Sequence, residues 1–247
     1  MQRSDRGRNY FAMFAASVFM CACTPSNPPT DSTVSDELPL DSLVTTEWLS
    51  EHLDDPDLVV LDCTVFVEPD ENGGFRIVSG RANYEAGHIP SAGFADLMGD
   101  LSDLDKPSQF IMPTPEQFAA AMGALGVGVD SRVVLYSADT PDWAARVWWM
   151  MRWAGFDNVA LLDGGLADWV AEGRPLSTVP PDRAAKRFTA TPRPEVIADR
   201  DQVLAATENS NINIIDALPD AHFRGGFSMY ARPGHILGAT NMTLDTQ

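Results

Sequence analysis

The chemistry open to this sequence turns first on three cysteines, Cys21, Cys23 and Cys63, and on four histidines, His52, His88, His222 and His235. A thiolate is both a nucleophile and a soft metal ligand, whereas a thiol is neither to any useful degree. Cys63 follows Asp62 at the end of an apolar run, so it is expected to be a small buried residue and not a working thiol. The histidines are scattered and no cysteine cluster accompanies them, which argues against a zinc site. Two of them occupy the same turn: Gly87-His88-Ile89-Pro90-Ser91-Ala92 recurs as Gly234-His235-Ile236-Leu237-Gly238-Ala239, an offset of 147 residues. In that setting both imidazoles are read as turn-fixing side chains. Nothing in the sequence calls for a cofactor.

The other two cysteines belong to the N-terminus. Arg3, Arg6 and Arg8 form a basic start, and Tyr10 to Ala22 is an apolar run of signal-peptide length, too short to span a bilayer comfortably. The run ends in Met20-Cys21-Ala22-Cys23. This resembles a bacterial lipobox, implying cleavage before Cys23 and lipid attachment to it. Residues 1–22 are thus expected to be a signal peptide and 23–40, rich in Pro, Ser, Thr and Asn, a lipid-anchored tether. The expected location is the bacterial cell envelope, lipid-anchored and facing the periplasm, with the membrane as a partner through the anchor. Cys63 would then be the lone free thiol, without an intramolecular disulfide.

Composition narrows the function classes further. With 45% hydrophobic residues in 247, there is material for one large or two ordinary domains. The formal charge is −18 and the only lysines are Lys106 and Lys186, so no basic strip exists to follow a phosphate backbone. Nucleic acid is excluded as a partner on that ground.

Short apolar runs alternate with helix signals from Leu43 onward. Leu58–Asp62, Arg132–Tyr136 and Val159–Asp163 read as buried strands. Thr45-Thr46-Glu47 opens a short helix, and Thr114-Pro115-Glu116-Gln117 combines a capping threonine, proline at the first helical position and a capping-box glutamine. Thr140-Pro141-Asp142 starts another helix, reaching about Ala154 and stopped by Gly155; its Trp-rich sequence is apolar on nearly all sides. Gly164-Gly165 turns the last strand into a helix ending near Gly173. Continuous apolar strands separated by helices predict an α/β fold with parallel central sheets covered by helices.

The turn repeat has company upstream, where Leu61-Asp62-Cys63 matches Ile215-Asp216-Ala217 at an offset of 154. Two copies of one domain are therefore expected, at 41–177 and 196–247, joined by a linker over 178–195. The first copy has seven more residues between its landmarks than the second. By this spacing, the second copy's equivalent of position 137 falls 37 residues past Gln247, so the second domain is expected to be incomplete.

Taken together, these strings resemble the tandem rhodanese family, the thiosulfate and 3-mercaptopyruvate sulfurtransferases, over roughly residues 41–247. The resemblance rests on Tyr84 to Ala92, Met112 to Phe118, Ala145-Arg146-Val147-Trp148-Trp149 and Leu162 to Trp169 in the first copy. In the second it rests on Ile215-Asp216-Ala217, Phe223-Arg224-Gly225 and Arg232-Pro233-Gly234-His235-Ile236. The family implies that a cysteine after a sheet strand takes sulfane sulfur from a small anionic donor, thiosulfate or 3-mercaptopyruvate, as a persulfide. The sulfur then passes to a thiol or cyanide acceptor. Such chemistry needs a thiolate and a ring of backbone N–H groups at a helix N-terminus to hold anionic sulfur.

The resemblance also implies where this chain departs. Ser137 occupies the nucleophile position of the first copy; a hydroxyl forms no stable persulfide, and Asp139 and Asp142 would repel anionic sulfur. The first domain is accordingly expected to be non-catalytic. A hydrolase role for Ser137 would need a histidine base, and the sequence assigns none. In the second copy the family's two basic donor-binding positions hold Leu218 and His222, leaving Arg224 and Arg232 as the candidate substrate contacts. The chain as it stands is expected to be inactive, with its cysteine beyond residue 247. The competing reading is a non-catalytic rhodanese-like lipoprotein used for binding or as a scaffold.

Overall fold

The computed structural model describes residues 40–71, 74–226 and 232–243. The expected signal peptide, the lipidated Cys23 and all of the tether but Leu40 lie outside them. Along the first region run β1 (Leu43–Val44), α1 (Thr46–His52), β2 (Leu58–Asp62), β3 (Val65–Pro69), β4 (Phe75–Ser79), α2 (Arg81–Ala86), β5 (Gly93–Phe94) and α3 (Pro115–Ala124). After these come β6 (Arg132–Tyr136), α4 (Asp142–Trp153), β7 (Val159–Leu162) and α5 (Gly165–Ala171).

Five of these strands form one parallel sheet in the order β1-β7-β6-β2-β5. The central strands β2 and β6 are apolar at their interior positions because both faces are covered. Val59, Leu61, Val133, Leu135 and Val159 pack on Phe118 and Met122 of α3 and on Val147, Met150 and Met151 of α4. Alternate residues Val60, Val134, Tyr136, Ala160 and Leu162 meet Leu49 of α1 and Leu166 and Trp169 of α5 on the other side. The period-2 alternation of strand side chains thus serves two cores at once.

Local signals are realised unevenly. Thr114 accepts from the Gln117 N–H at 3.2 Å and caps α3. The Gln117 amide, however, donates to the carbonyls of Asp100 and Ser102, so no reciprocal capping box closes. Thr140 does not cap α4; that helix begins at Asp142 with Pro141 at the boundary and no side-chain cap. Nor is the Trp-rich helix buried all round. Trp148 and Trp149 are half-buried, their indole N–H groups donating to the carbonyls of Val159 and Val196.

Beyond Ser177 the chain lies along the first region as a strap. Ser177 and His88 exchange backbone hydrogen bonds of 2.8 and 2.9 Å, and Lys186 N–H donates to Gly123 at 2.9 Å. Phe188 is buried in the α3–α4 core, and Arg193 grips Asp157 with two bonds of 2.6 and 2.7 Å. A Cβ on Gly123 would sit 2.5 Å from the Lys186 carbonyl, so this close approach depends on glycine.

The C-terminal segment contains α6 (Arg200–Ala206), β8 (Ile215–Asp216), α7 (Asp220–Phe223) and β9 (Thr240–Asn241). Asp199 and Gln202 form a reciprocal capping box at the start of α6. β8 pairs in parallel with β9 through Ile215↔Thr240 and Asp216↔Asn241, as β2 pairs with β5 through Leu61↔Gly93 and Asp62↔Phe94.

The seven-residue difference between the two sets of landmarks has a structural basis. Asp62 to Tyr84 spans 22 residues but Asp216 to Phe223 only seven, because the 15-residue hairpin of β3 and β4 intervenes in the first set. That hairpin was not foreseen from sequence. In the opposite sense, Phe223 to His235 spans twelve residues where Tyr84 to His88 spans four.

Candidate functional site

The carboxyl ends of β2 and β6 lie side by side, with Asp62 opposite Tyr136 in the parallel register. In open α/β sheets this edge is where ligands bind. Ser137, the first residue after β6, is 5% exposed. Its hydroxyl accepts from the Asp139 N–H at 3.3 Å and its carbonyl from the Leu166 N–H at 3.1 Å. A Cβ on Gly165 would come within 2.7 Å of that carbonyl, which explains the glycine pair at 164–165. The hydrogen bonds of His52, His88 and His235 go elsewhere than Ser137. His52 contacts the Trp48 carbonyl, His88 those of Tyr84 and Val179, and His235 that of Phe223. A serine-hydrolase arrangement therefore has no base among these contacts.

Behind the loop is a buried polar network that sequence reading missed. Asp62 Oδ1 accepts from both the N–H and the hydroxyl of Thr64, and Thr64 Oγ1 accepts from the Ala138 N–H at 2.9 Å. Burial, outweighing the Thr64 hydrogen bonds, raises the Asp62 carboxyl above its usual range. Asp62 Oδ2 meets no partner at full hydrogen-bond geometry. The Tyr136 phenol nonetheless interacts with this carboxylate, and it is raised chiefly by its own burial and then by the nearby negative charge. Its oxygen also accepts from the Ile89 N–H at 3.3 Å. The available sequence signal was the acid–x–threonine spacing, which favours a local side-chain-to-backbone bond.

Cys63 is 0% exposed, and its Sγ faces the Leu61 carbonyl at 3.8 Å. Burial first and the Asp62 charge second push its thiol well up, so the thiolate required of a nucleophile is suppressed.

The repeated histidine turn has one geometry in both places. His88 Nδ1 lies 2.8 Å from the Tyr84 carbonyl with the two rings stacked at 4.0 Å. His235 Nδ1 lies 2.7 Å from the Phe223 carbonyl with ring centroids 3.7 Å apart. Tyr84 and Phe223 are each the fourth residue of their helices, so the imidazole closes the turn onto the helix end in both. Asp216 accepts from the Leu218 N–H at 3.0 Å, as Asp62 does from Thr64.

The candidate anion contacts fare differently. Arg224 is exposed and held by Asp220, its Nε donating to both carboxylate oxygens at 2.7 and 2.8 Å; that pairing raises the guanidinium further. Arg232 is exposed and eight residues past Arg224, and among the described residues no contact brings the two together. Among the described residues no cluster of three or more His, Cys, Asp or Glu could hold a metal ion.

Comparison with known proteins agrees with this frame. The family model described as "Rhodanese-like domain" matches residues 45–172. The 3-mercaptopyruvate sulfurtransferase of Escherichia coli (strain K12) is 36% identical over 199 residues, covering 79% of this chain and 69% of that protein. The thiosulfate sulfurtransferase of Gallus gallus is 31% identical over 212 residues, covering 83% and 71%. Among solved structures, the crystal structure of SseA from Escherichia coli, described as a 3-mercaptopyruvate sulfotransferase with the rhodanese fold, superposes with a TM-score of 0.71 at 35% identity. The superposition covers 82% of this chain and 74% of that one.

Proposed function

This chain belongs to the rhodanese family of sulfurtransferases, and on that premise we propose that it moves sulfane sulfur from thiosulfate or 3-mercaptopyruvate to a thiol or cyanide through a cysteine persulfide. The persulfide-bearing cysteine is not among residues 1–247. Ser137 has no thiol, and Cys63 is fully buried with its thiolate suppressed. In this reading residues 41–177 are a non-catalytic rhodanese-like domain and residues 196–247 belong to a second one.

The observation that carries the reading is the recurrence of the Asp, aromatic and His geometry at 216, 223 and 235. The likeness to the sulfurtransferases supports it too, since the alignments are longer than the 45–172 match. Cys23 as a lipid anchor and an envelope location complete the proposal; they rest on the N-terminal sequence alone. A binding or scaffold role is favoured by one observation, the serine at 137 between a strand and two acids.

Sulfur-transfer assays with thiosulfate and cyanide, and with 3-mercaptopyruvate and a thiol, decide between these. Residues 1–247 should give no more turnover than their Cys63→Ala variant, while a polypeptide continuing through a tyrosine–cysteine loop about 37 residues past Gln247 should be active. Turnover by residues 1–247 that disappears in Cys63→Ala would overturn the assignment. An inactive continuation, or one lacking the cysteine, would leave the scaffold role. For the anchor, labelled palmitate should enter the chain and be lost in Cys23→Ser; labelling that persists refutes it.

A further inference from the structure

The strand–loop–helix unit at Ser137 lacks more than a thiol. A loop that holds an anion must keep its backbone N–H groups turned toward the ligand. Here the first two are already used: Ala138 N–H donates to Thr64 Oγ1 at 2.9 Å and Asp139 N–H to Ser137 Oγ at 3.3 Å. The second of these bonds would change with the side chain at 137. The first would not, because its acceptor comes from the connection between β2 and β3.

Thr64 is also held firmly. Its hydroxyl proton is committed to Asp62 Oδ1, which leaves its oxygen lone pairs for Ala138. Its carbonyl accepts from the Gly80 N–H at 3.0 Å. A Cβ on Gly80 would come within 2.4 Å of that carbonyl and 2.5 Å of the Thr64 Cβ, so the hairpin return presses against it without room to spare. Thr64 is 0% exposed.

We propose that Thr64 is a positioning residue that closes the Ser137 loop to anions, drawing the Ala138 N–H backward into the Asp62 network. The corresponding residue of the C-terminal segment is Leu218. It keeps the backbone bond to its acid, Asp216, but has no hydroxyl to offer a loop. The two positions therefore distinguish a closed frame from an open one. This deepens the sulfurtransferase reading, since it takes loop N–H groups as the cradle for anionic sulfur.

The test uses the present chain with Ser137→Cys as a reporter and thiolate absorbance as the readout, measured as a difference from the unmodified chain so that Cys21, Cys23 and Cys63 cancel. With Thr64 in place, the new thiol should titrate no lower than free cysteine. Adding Thr64→Val should free one N–H for the thiolate and raise its population at neutral pH about tenfold, one unit in the midpoint. Adding Thr64→Ser restores the hydroxyl and should cancel the gain. Identical titrations for the Val and Ser variants would overturn the proposal.

Thr64→Val also removes a donor from Asp62 and lowers stability, which is why the midpoint and not the melting temperature is the readout. Should that variant not fold, amide exchange in the unmodified chain serves instead. Ala138 should be protected while Thr140 exchanges freely, and equal rates at the two would refute the role. Neither measurement depends on sulfur turnover, so a failure here is separable from a failure of the sulfurtransferase assignment.

Discussion

Residues 58–94 and 212–241 contain the same ingredients, an apolar strand ending in aspartate, a helix whose fourth residue is aromatic, a Gly-His-Ile turn and a short parallel strand, yet they differ in what surrounds them. Leu61 is 0% exposed and its counterpart Ile215 is 57% exposed; Ile89 is 0% exposed and Ile236 is 47%. β2 lies between β6 and β5, whereas β8 has β9 on one side only. The local frame of Asp, aromatic ring and imidazole thus forms without the surrounding core. Its hydrogen bonds and ring stack join residues four apart at Tyr84 and His88 and twelve apart at Phe223 and His235. Burial of the apolar face, by contrast, needs partners that lie far along the chain: β6, α4 and α5 for the first region.

That contrast is broken most directly by trimming equivalent apolar side chains. Leu61→Ala should cost about 2–5 kcal/mol in urea unfolding, the sum of lost transfer energy and a cavity. Ile215→Ala, at an exposed site, should change stability by less than about 0.5 kcal/mol. Comparable losses at both sites would mean that β8 is covered in solution.

The strap comes next in size. Gly123→Ala puts a methyl 2.5 Å from the Lys186 carbonyl, against which no flexible side chain can yield. It should cost about 1–3 kcal/mol and expose residues near Phe188 to protease. Unchanged proteolysis would mean that the strap does not depend on this contact.

A smaller effect concerns Asp62. Because burial raises the folded-state pKa of Asp62, the folded protein holds that proton more tightly than the unfolded chain does. Stability from this group is therefore greatest in acid and declines as pH rises from the unfolded aspartate range, near 4, toward the raised folded value. Asp62→Asn should flatten that decline. A steeper decline in Asp62→Asn would contradict the sign.

The smallest expected effect is at Arg224. Its contact with Asp220 is solvent-exposed, so Arg224→Ala should leave the unfolding midpoint where it was, and salt should screen the pair in the unmodified protein. A clear loss of stability would show that the segment relies on this ion pair.

Much of the frame was legible in the residues. The buried strands at 58–62 and 132–136, the capping Thr114 and the glycine stops at 155 and 173, each in the left-handed region, follow from local rules of pattern and backbone geometry. The family resemblance carried by the 84–92, 145–149 and 162–169 strings agreed with the fold. Other features were not legible, because each depends on a neighbour distant in sequence. The β3–β4 hairpin stands between Asp62 and Tyr84, where only seven residues separate Asp216 from Phe223. Gln117 abandons its capping box for two carbonyls in the preceding loop. The Thr64 hydroxyl meets Ala138 across 74 positions.

The sequence alone determined the strand–loop–helix order, the paired His turns and the serine where a thiol nucleophile would stand, since these are matters of residue type and short spacing. Only the tertiary structure decided that the 178–195 segment binds the first region as a strap and that the N–H following Ser137 is already taken. Each of those is set by which groups are brought into contact through folding, and therefore by desolvation and hydrogen-bond competition between residues that no local pattern connects.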